Sequence, residues 1–216
     1  THAEGAFGLP AASDTPAAHL ARAAAHTKAA AKAKSAGDGE QEARALRCAV
    51  ASFRRGARGG CARARYNLAA CLLSARGCAP DPVAAALLLR LSANDGHEQA
   101  ALRLALCYLR GVPRLDLPPG GSAERRAGKM LWAIAPDVKK AVKMLIKAAG
   151  MGVAEAQWEL FRCYAAGDGG LNLDASAEAR WLRAAADGNH PGACAMLGAR
   201  LLDKERTGDD AGGFGG

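Results

Sequence analysis

Residues 137–170 read DVKKAVKMLIKAAGMGVAEAQWELFRCYAAGDGG, and this stretch decides the fold. Small and apolar residues recur every three or four positions on both sides of Gly152: Ala141, Leu145 and Ala149 before it, and Ala156, Leu160 and Cys163 after it. Such spacing places these residues on one face of an amphipathic helix. Glycine is the residue that most easily lets a chain leave a helix through positive φ. The stretch therefore predicts two helices joined by a turn at Gly152.

The same pattern repeats along the chain. Glycines 60, 96, 152 and 188 are separated by 36, 56 and 36 residues, so the middle interval is one period plus 20. Three sets of residues recur in register with these glycines: Ala64, Ala100 and Ala156; Leu68, Leu104 and Leu160; Phe53, Leu89, Leu145 and Trp181. After its glycine, the fourth unit slips by one residue. Each period predicts a helix, a loop and a second helix that ends at the next glycine, and such pairs stack as an α-solenoid.

The residues that carry this period resemble the Sel-one-like repeat, a tetratricopeptide-related class. The matching positions are Asp137, Ala141, Ala148, Ala149, Gly152, Ala156, Leu160, Tyr164 and Gly167, and residues 81–112 and 179–202 repeat the pattern. The resemblance covers roughly residues 43–204. It implies a right-handed α-solenoid of antiparallel helix pairs, whose usual work is scaffolding or adapting protein complexes. Two features depart from the family: the first unit keeps only its second helix recognisably, and Ala75, Arg76 and Gly77 replace the loop glycine pattern.

Composition supports an all-α fold. Alanine supplies 54 of the 216 residues, whereas aromatic residues make up only 5%. β-Sandwiches and barrels depend on aromatic and β-branched residues, so this balance disfavours them. No run of 18 apolar residues occurs, which predicts that the chain has no transmembrane segment. The strong patterning from residue 43 to residue 204 excludes global disorder.

Three segments are expected: residues 1–40 as an Ala/Lys-rich N-terminal extension or degenerate cap, 41–204 as the solenoid, and 205–216 as a flexible Gly-rich tail. The 20 extra residues predict an insertion between the two helices of one unit, at about 114–136. Its Pro118–Pro119 pair predicts a loop, and a short helix is expected from about Ser122. Trp132 lies in this insertion, where ordinary repeats have no residue. Two interpretations of Trp132 stay open, because it either folds back over the solenoid or anchors a partner.

The net charge of +8 comes from a single segment. Between Glu42 and Asp81 there are eight arginines and no acidic residue, while the remainder carries 21 basic and 21 acidic residues. On a helix whose Ala49 and Phe53 face the core, the arginines of 43–58 point outward, and two more follow the turn. We predict that seven of these arginines form one partner-binding surface, the arginine stripe: Arg44, Arg47, Arg54, Arg55, Arg58, Arg63 and Arg65.

The chemistry of arginine limits what this stripe can bind. Guanidinium groups bind carboxylates and phosphates in bidentate fashion, so an acidic protein surface and an RNA backbone both fit. No aromatic residues alternate with the arginines, which disfavours the stacking of single-stranded bases. A solvated face of the solenoid is the remaining alternative.

Nothing in the sequence indicates catalysis, a cofactor or a bound metal. The seven cysteines form no CxxC pair and have no zinc-ligand spacing, and no Ser–His–Asp order or phosphate-binding glycine loop is found. His97 and His190 follow the repeat glycines, at a position that is structural in the resembled family. Cysteine-rich members of that family bridge their helix pairs through a cysteine near Ala185–Ala186. This chain has alanine there, and most of its cysteines lie among apolar helical residues without bridging partners. We therefore predict free thiols and a reducing compartment.

The sequence thus predicts a non-catalytic scaffold or adaptor subunit that contacts other protein subunits of a large assembly. The alternative is an RNA-contacting accessory subunit of an organellar ribonucleoprotein such as a ribosome, and a cysteine-rich hydrolase-like relative is a third hypothesis. Residues 15–37 are rich in Ala, Lys, Arg and His and contain no acidic residue, which is typical of organellar transit regions. An organelle interior is therefore expected, a mitochondrion before a plastid, with the cytoplasm as the other alternative.

Overall fold

A computed structural model of the chain describes residues 15–113, 132–168, 171 and 174–207, with the side chains of residues 205 and 207 excepted. This described part is all-α apart from one short antiparallel pair of strands, as the sequence predicts. In chain order its elements are α1 (Pro16–Ser35), α2 (Gly39–Arg58), α3 (Ala62–Ser74), α4 (Pro82–Asn94), α5 (Glu98–Arg110), β1 (Val112–Pro113), β2 (Trp132–Ile134), α6 (Val138–Gly150), α7 (Ala154–Ala166), α8 (Ala175–Asp187) and α9 (Pro191–Thr207).

The helices pack in consecutive pairs within two compact units. In the first unit, which holds the described residues up to Ala100 with 111–113 and 132–135, α1 packs on α2, α2 on α3, and α3 on α4. In the second unit, which holds 101–110 and the described residues from Pro136, α6 packs on α7, α7 on α8, and α8 on α9. Helix α5 lies mainly in the second unit. This order of paired helices confirms the prediction of a repeat solenoid.

Aspartates begin the second helix of each pair. Asp38, Asp81, Asp137 and Asp174 precede α2, α4, α6 and α8, and each carboxylate accepts a hydrogen bond from a backbone N–H in the first turn, at 2.9–3.2 Å. A side-chain cap of this kind stabilises a helix by about 1 kcal/mol. The backbone N–H of Lys140, reinforced by its side chain, lowers the pKa of Asp137. The hydroxyl of Ser176 and nearby backbone N–H groups do the same to the pKa of Asp174.

The residues that recur in register form the core. Ala64, Ala100 and Ala156 are each 0% exposed, and the leucines that follow them are almost fully buried at Leu68, Leu104 and Leu160. The second helices bury the predicted face as well, with Phe53, Leu89 and Leu145 inside. In the fourth unit the prediction is wrong by one residue, because Leu182 fills the buried position and Trp181 is half-buried. Alanine at the helix contacts lets neighbouring backbones approach closely, which explains why so much alanine and so little aromatic side chain builds this fold.

Three of the four predicted glycine turns have the expected conformation, and the fourth is a correction. Gly60, Gly96 and Gly152 have φ of 89°, 86° and 83°, in the left-handed region. Gly188 instead has a φ of −77°, and the following residue, Asn189, takes the left-handed conformation at 58°. Gly188 packs against Ala154 so closely that a Cβ there would lie 2.6 Å from the Ala154 Cβ. This shift of the turn residue accounts for the one-residue slip of the fourth unit.

The segments predicted to lie outside the repeat are described only in part. Residues 16–35 form α1, which packs along α2, whereas residues 1–14 lie outside the described residues. The predicted loop and short helix of the insertion also lie outside them, because the description stops at residue 113 and resumes at 132. At the other end α9 continues to Thr207, and the rest of the predicted tail is outside the described part.

Candidate interaction surface

Helix α2 carries most of the arginine stripe because its sequence has two distinct faces. Its buried residues include Ala45, Ala49, Phe53 and Ala57, and these face the neighbouring helices. Glu40 and Glu42 lie in the first turn and Arg55 and Arg58 in the last, so the end charges oppose the helix dipole. The other arginines occupy the face opposite the core. The side of α2 that does not pack is therefore left strongly cationic.

Six of the seven stripe residues are exposed in the structure. They are Arg44, Arg47, Arg54, Arg55 and Arg58 on α2 and Arg63 on α3. No carboxylate of the described residues forms an ion pair with any of them. Arg65 differs, because it is partly buried and pairs with Asp95 at the end of α4. Exposed Arg76, in the loop between α3 and α4, adds another cation to the same unit.

A first groove lies beside the stripe, between the end of α1, the start of α2 and the α3–α4 loop. It has a volume of about 640 Å³, and its charged lining residues are Lys34, Glu42, Arg47 and Arg76. The loop reaches α2 because Gly77 has a φ of 73° and packs directly on the backbone of Leu46. Three cations and one anion favour a ligand that carries carboxylate or phosphate groups.

A second groove, the leucine groove, lies between α2, α3 and α4 and has a volume of about 500 Å³. Arg54 and Arg58 line its α2 side, and the remaining lining is largely aliphatic: Leu68 and Leu72 of α3, and Leu87, Leu88 and Leu91 of α4. The sequence analysis did not predict this groove, since the one leucine of α4 that it named is Leu89, which is buried in the core. A comparison of α4 with the other second helices, position by position, would have found the leucines of the groove.

Trp132 lies at the base of the insertion, in β2. There β2 pairs antiparallel with β1, with Trp132 opposite Pro113 and Ile134 opposite Val112, and β2 packs on α4. Ile134 is buried, whereas Trp132 is half-buried. The start of α6 is tied down as well, because the Asp137 N–H donates to the Tyr108 carbonyl at 2.8 Å. The two described ends of the insertion therefore lie close together.

The seven cysteines are all free thiols in the structure. Cys48 and Cys194 are exposed, whereas Cys107 and Cys163 are buried. Burial raises the pKa of Cys107 and raises that of Cys163 to about 11, and it also raises the pKa of Cys71. A thiol with a raised pKa is a poor nucleophile and a poor metal ligand. Among the described residues, no three His, Cys, Asp or Glu side chains cluster as a metal site would require.

The two turn histidines act as structural linkers between repeats. His97 stacks on Tyr66 with ring centroids 4.7 Å apart, and His190 stacks on Trp158 at 5.0 Å. Tyr66 and Trp158 occupy the same repeat position, six residues after Gly60 and Gly152. His190 also lies 3.0 Å from a Glu155 carboxylate oxygen and accepts the Ala193 N–H at 3.3 Å, which caps α9. These contacts join the turn before α5 to α3 and the turn before α9 to α7.

The fold and this surface define an all-α repeat protein with a cationic face. Known structures are similar to it in fold. One is a protective antigen of uropathogenic Escherichia coli strains that displays an SLR fold, with TM-score 0.64 and 19% identity over 88% of this chain. Another is a Sel1 repeat protein from Oxalobacter formigenes, with TM-score 0.53 and 20% identity over 86% of this chain and 76% of that one.

These likenesses confirm, at the level of the fold, the resemblance to Sel1-like repeats. This chain spans only 34% of the length of the Escherichia coli protein. No protein-family model and no curated protein matches the sequence. Within the described residues, no helix is both long enough and apolar enough to cross a membrane.

Proposed function

We propose that this chain is a non-catalytic scaffold subunit that binds an acidic surface of another protein within a larger assembly. The observation that carries the proposal is the exposed row of six stripe arginines without a carboxylate partner among the described residues. Solvated helix faces normally mix both signs of charge, and a one-sign face of this kind steers and holds a partner of opposite charge. The repeat fold supports the proposal, since stacked helix pairs offer extended binding surfaces.

The proposed setting is an organelle interior, with a mitochondrion favoured over a plastid. Its support is compositional: residues 15–37 are basic, alanine-rich and free of acidic residues, as transit regions are, while residues 16–35 themselves fold as α1. Imaging of the chain with a C-terminal fluorescent tag in its native cells tests this. A diffuse cytoplasmic signal would contradict it.

The binding proposal is tested by reversing three stripe charges that lie outside the leucine groove, in the variant R44E/R47E/R55E. These side chains point away from the core, so helicity should stay unchanged while co-purification of partner proteins from native cells falls steeply. A matched control, R103E/K139E/K143E, makes the same change in net charge at exposed positions of the second unit. If both variants retain their partners equally well, the arginine stripe is a solvated face without a binding role.

RNA is the second candidate partner, because arginine binds phosphate in the same bidentate way as carboxylate. Nuclease treatment before purification separates the two candidates. Partners that survive nuclease favour the protein surface. Partners that are lost with the RNA, together with RNA retention that falls steeply with salt, favour the ribonucleoprotein alternative.

A further inference from the structure

The outer face of α4 is unusual when the repeats are compared position by position. Three aliphatic side chains follow one another every four residues on its exposed side: Val83 is 56% exposed, Leu87 is 49% and Leu91 is 46%. These positions lie thirteen, nine and five residues before the left-handed turn residue that ends the helix. The same positions hold Arg47, Ala51 and Arg55 in α2, Lys139, Lys143 and Lys147 in α6, and Ser176, Arg180 and Ala184 in α8. Only in α4 is the row made of large apolar residues.

The helix pair does not need this row for its own packing. Helix α4 already buries Ala85, Leu89 and Ala93 against its neighbours. The leucines of the row instead form one wall of the leucine groove, above Leu68 and Leu72 of α3. From Val83 to Leu91 the row extends for about 12 Å, enough for two turns of a docked helix. A row of large apolar side chains beside a groove is typical of a protein interaction site.

The opposite wall of the groove determines the chemistry of the occupant. Arg54 and Arg58 lie one helical turn apart on α2, are exposed, and form no ion pair with a described carboxylate. The one acidic residue in the lining, Asp81, caps α4 by accepting the Ala84 N–H at 2.9 Å. The third arginine of the lining, Arg65, is already paired with Asp95. One wall thus offers two cations that no described carboxylate pairs with, and the other offers two exposed leucines.

We infer that the leucine groove binds an acidic amphipathic helix of a partner protein. The aliphatic face of that helix packs on Leu87 and Leu91, and carboxylates along its flank pair with Arg54 and Arg58. This mode of recognition uses apolar anchors at helical spacing for affinity and charges for orientation. The inference rests on the proposed scaffold function and specifies the kind of segment that this part of the surface recognises.

A displayed library of amphipathic helices of about 15 residues, selected on the full chain, tests the inference. We expect the selected helices to carry aliphatic residues at spacings of three or four and Asp or Glu along one flank. Binding of a selected helix should fall by at least about tenfold in L87K/L91K, because the two anchors are lost. Lysine occupies the same positions in α6, so this variant should keep its fold, which circular dichroism checks.

The charged wall is tested with a matched pair of variants. R54E/R58E, inside the groove, should weaken the selected helix by about tenfold, since two ion pairs become repulsive. R44E/R47E, on the same helix but outside this groove, should change binding by less than about twofold, because exposed charges beyond it are screened by salt. Equal losses in both variants would show that net charge acts without the groove and would overturn the inference.

Two other results would overturn it. One is a selection that yields helices without acidic flanks, or helices that bind L87K/L91K as well as the unchanged chain. The other is a concentration-dependent dimer of the chain alone that L87K/L91K abolishes in sedimentation, since a second copy would then be the occupant. The proposed function is judged separately. If R44E/R47E/R55E loses its partners in cells while no library helix depends on Leu87 and Leu91, the scaffold function stands and the groove inference fails.

Discussion

Replacement of Gly77 by alanine should destabilise the protein more than the same replacement at Gly37, Gly60 or Gly96, left-handed glycines of the first unit where a Cβ would meet no atom closer than 3.9 Å. Gly77 has a φ of 73°, and a Cβ there would lie 2.6 Å from both the carbonyl carbon and the carbonyl oxygen of Leu46. The left-handed conformation costs alanine about 1–2 kcal/mol. Because the contact is with helix backbone, which cannot rotate away, overpacking adds about 1–3 kcal/mol. Alanine also lowers the conformational entropy of the unfolded chain, which offsets about 0.5–1 kcal/mol of this loss of stability.

The expected loss is therefore about 3 kcal/mol, and Gly37 provides a matched control. Gly37 has a φ of 76°, yet nothing lies within 4 Å of a Cβ built on it. Gly37→Ala should cost only about 1 kcal/mol, so the difference between the variants measures the contact with Leu46. Urea unfolding followed by circular dichroism gives both values. Equal costs would refute the close approach of the α3–α4 loop to α2, and with it the first groove.

Further predictions concern the insertion, Ala75 in the α3–α4 loop and the Cys163 thiol. Replacing residues 114–131 by Asn-Gly should leave helicity and melting temperature nearly unchanged, because Pro113 and Trp132 already face each other across a strand pair. An unfolded product would show that the replaced segment is part of the core. Ala75→Gly should raise the free energy of unfolding by about 0.5–1 kcal/mol, because Ala75 has a φ of 53°, a left-handed conformation that glycine adopts more easily than alanine. A lower free energy of unfolding in urea would contradict this. The pKa of Cys163 is about 11 in the fold against an ordinary 9.0, so the unfolded thiol ionises first. The free energy of unfolding should thus fall between pH 9 and pH 11, and fall less in Cys163→Ala; identical pH profiles would refute this.

The helix pairs could be predicted because the signal for them is repeated. Every unit places alanine and leucine at spacings of three and four around a turn, and the agreement of several units outweighs the weak propensity of any single window. For helix α1 no repeated pattern strengthens the prediction. Its buried residues are mostly alanines in an alanine-rich stretch, so its apolar face barely differs from its other faces. Its packing depends on small residues of α2, where a Cβ on Gly56 would lie 3.4 Å from the Pro16 carbonyl oxygen.

The sequence predicts which side chains of α2 face outward, but not the contacts that they make with other helices. Helical geometry is enough to place Arg44, Arg54 and Arg58 opposite Ala49, because all four lie on one helix. Arg65 lies on the next helix, and its ion pair with Asp95 joins residues 30 positions apart, which no local pattern reveals. The β1–β2 pair is also hidden, since two or three residues are too few to show a period of two. Tertiary contacts decide such features, and one sequence contains no direct record of them.

An internal repeat supplies its own control for separating structural residues from functional ones. A residue that differs from its counterparts in the other units either contacts a partner inside the fold, which explains the difference, or has no such contact. Ser92 is of the first kind: its counterparts are Gly56, Ala148 and Ala185, and its buried hydroxyl donates to the Ala62 carbonyl at 2.8 Å. The exposed leucines of α4 are of the second kind, because their counterparts in α6 are lysines and the core of α4 is complete without them. A departure that the fold does not explain therefore points to a contact outside the chain, and among the described residues of α4 this reasoning leads to Leu87 and Leu91 in the leucine groove.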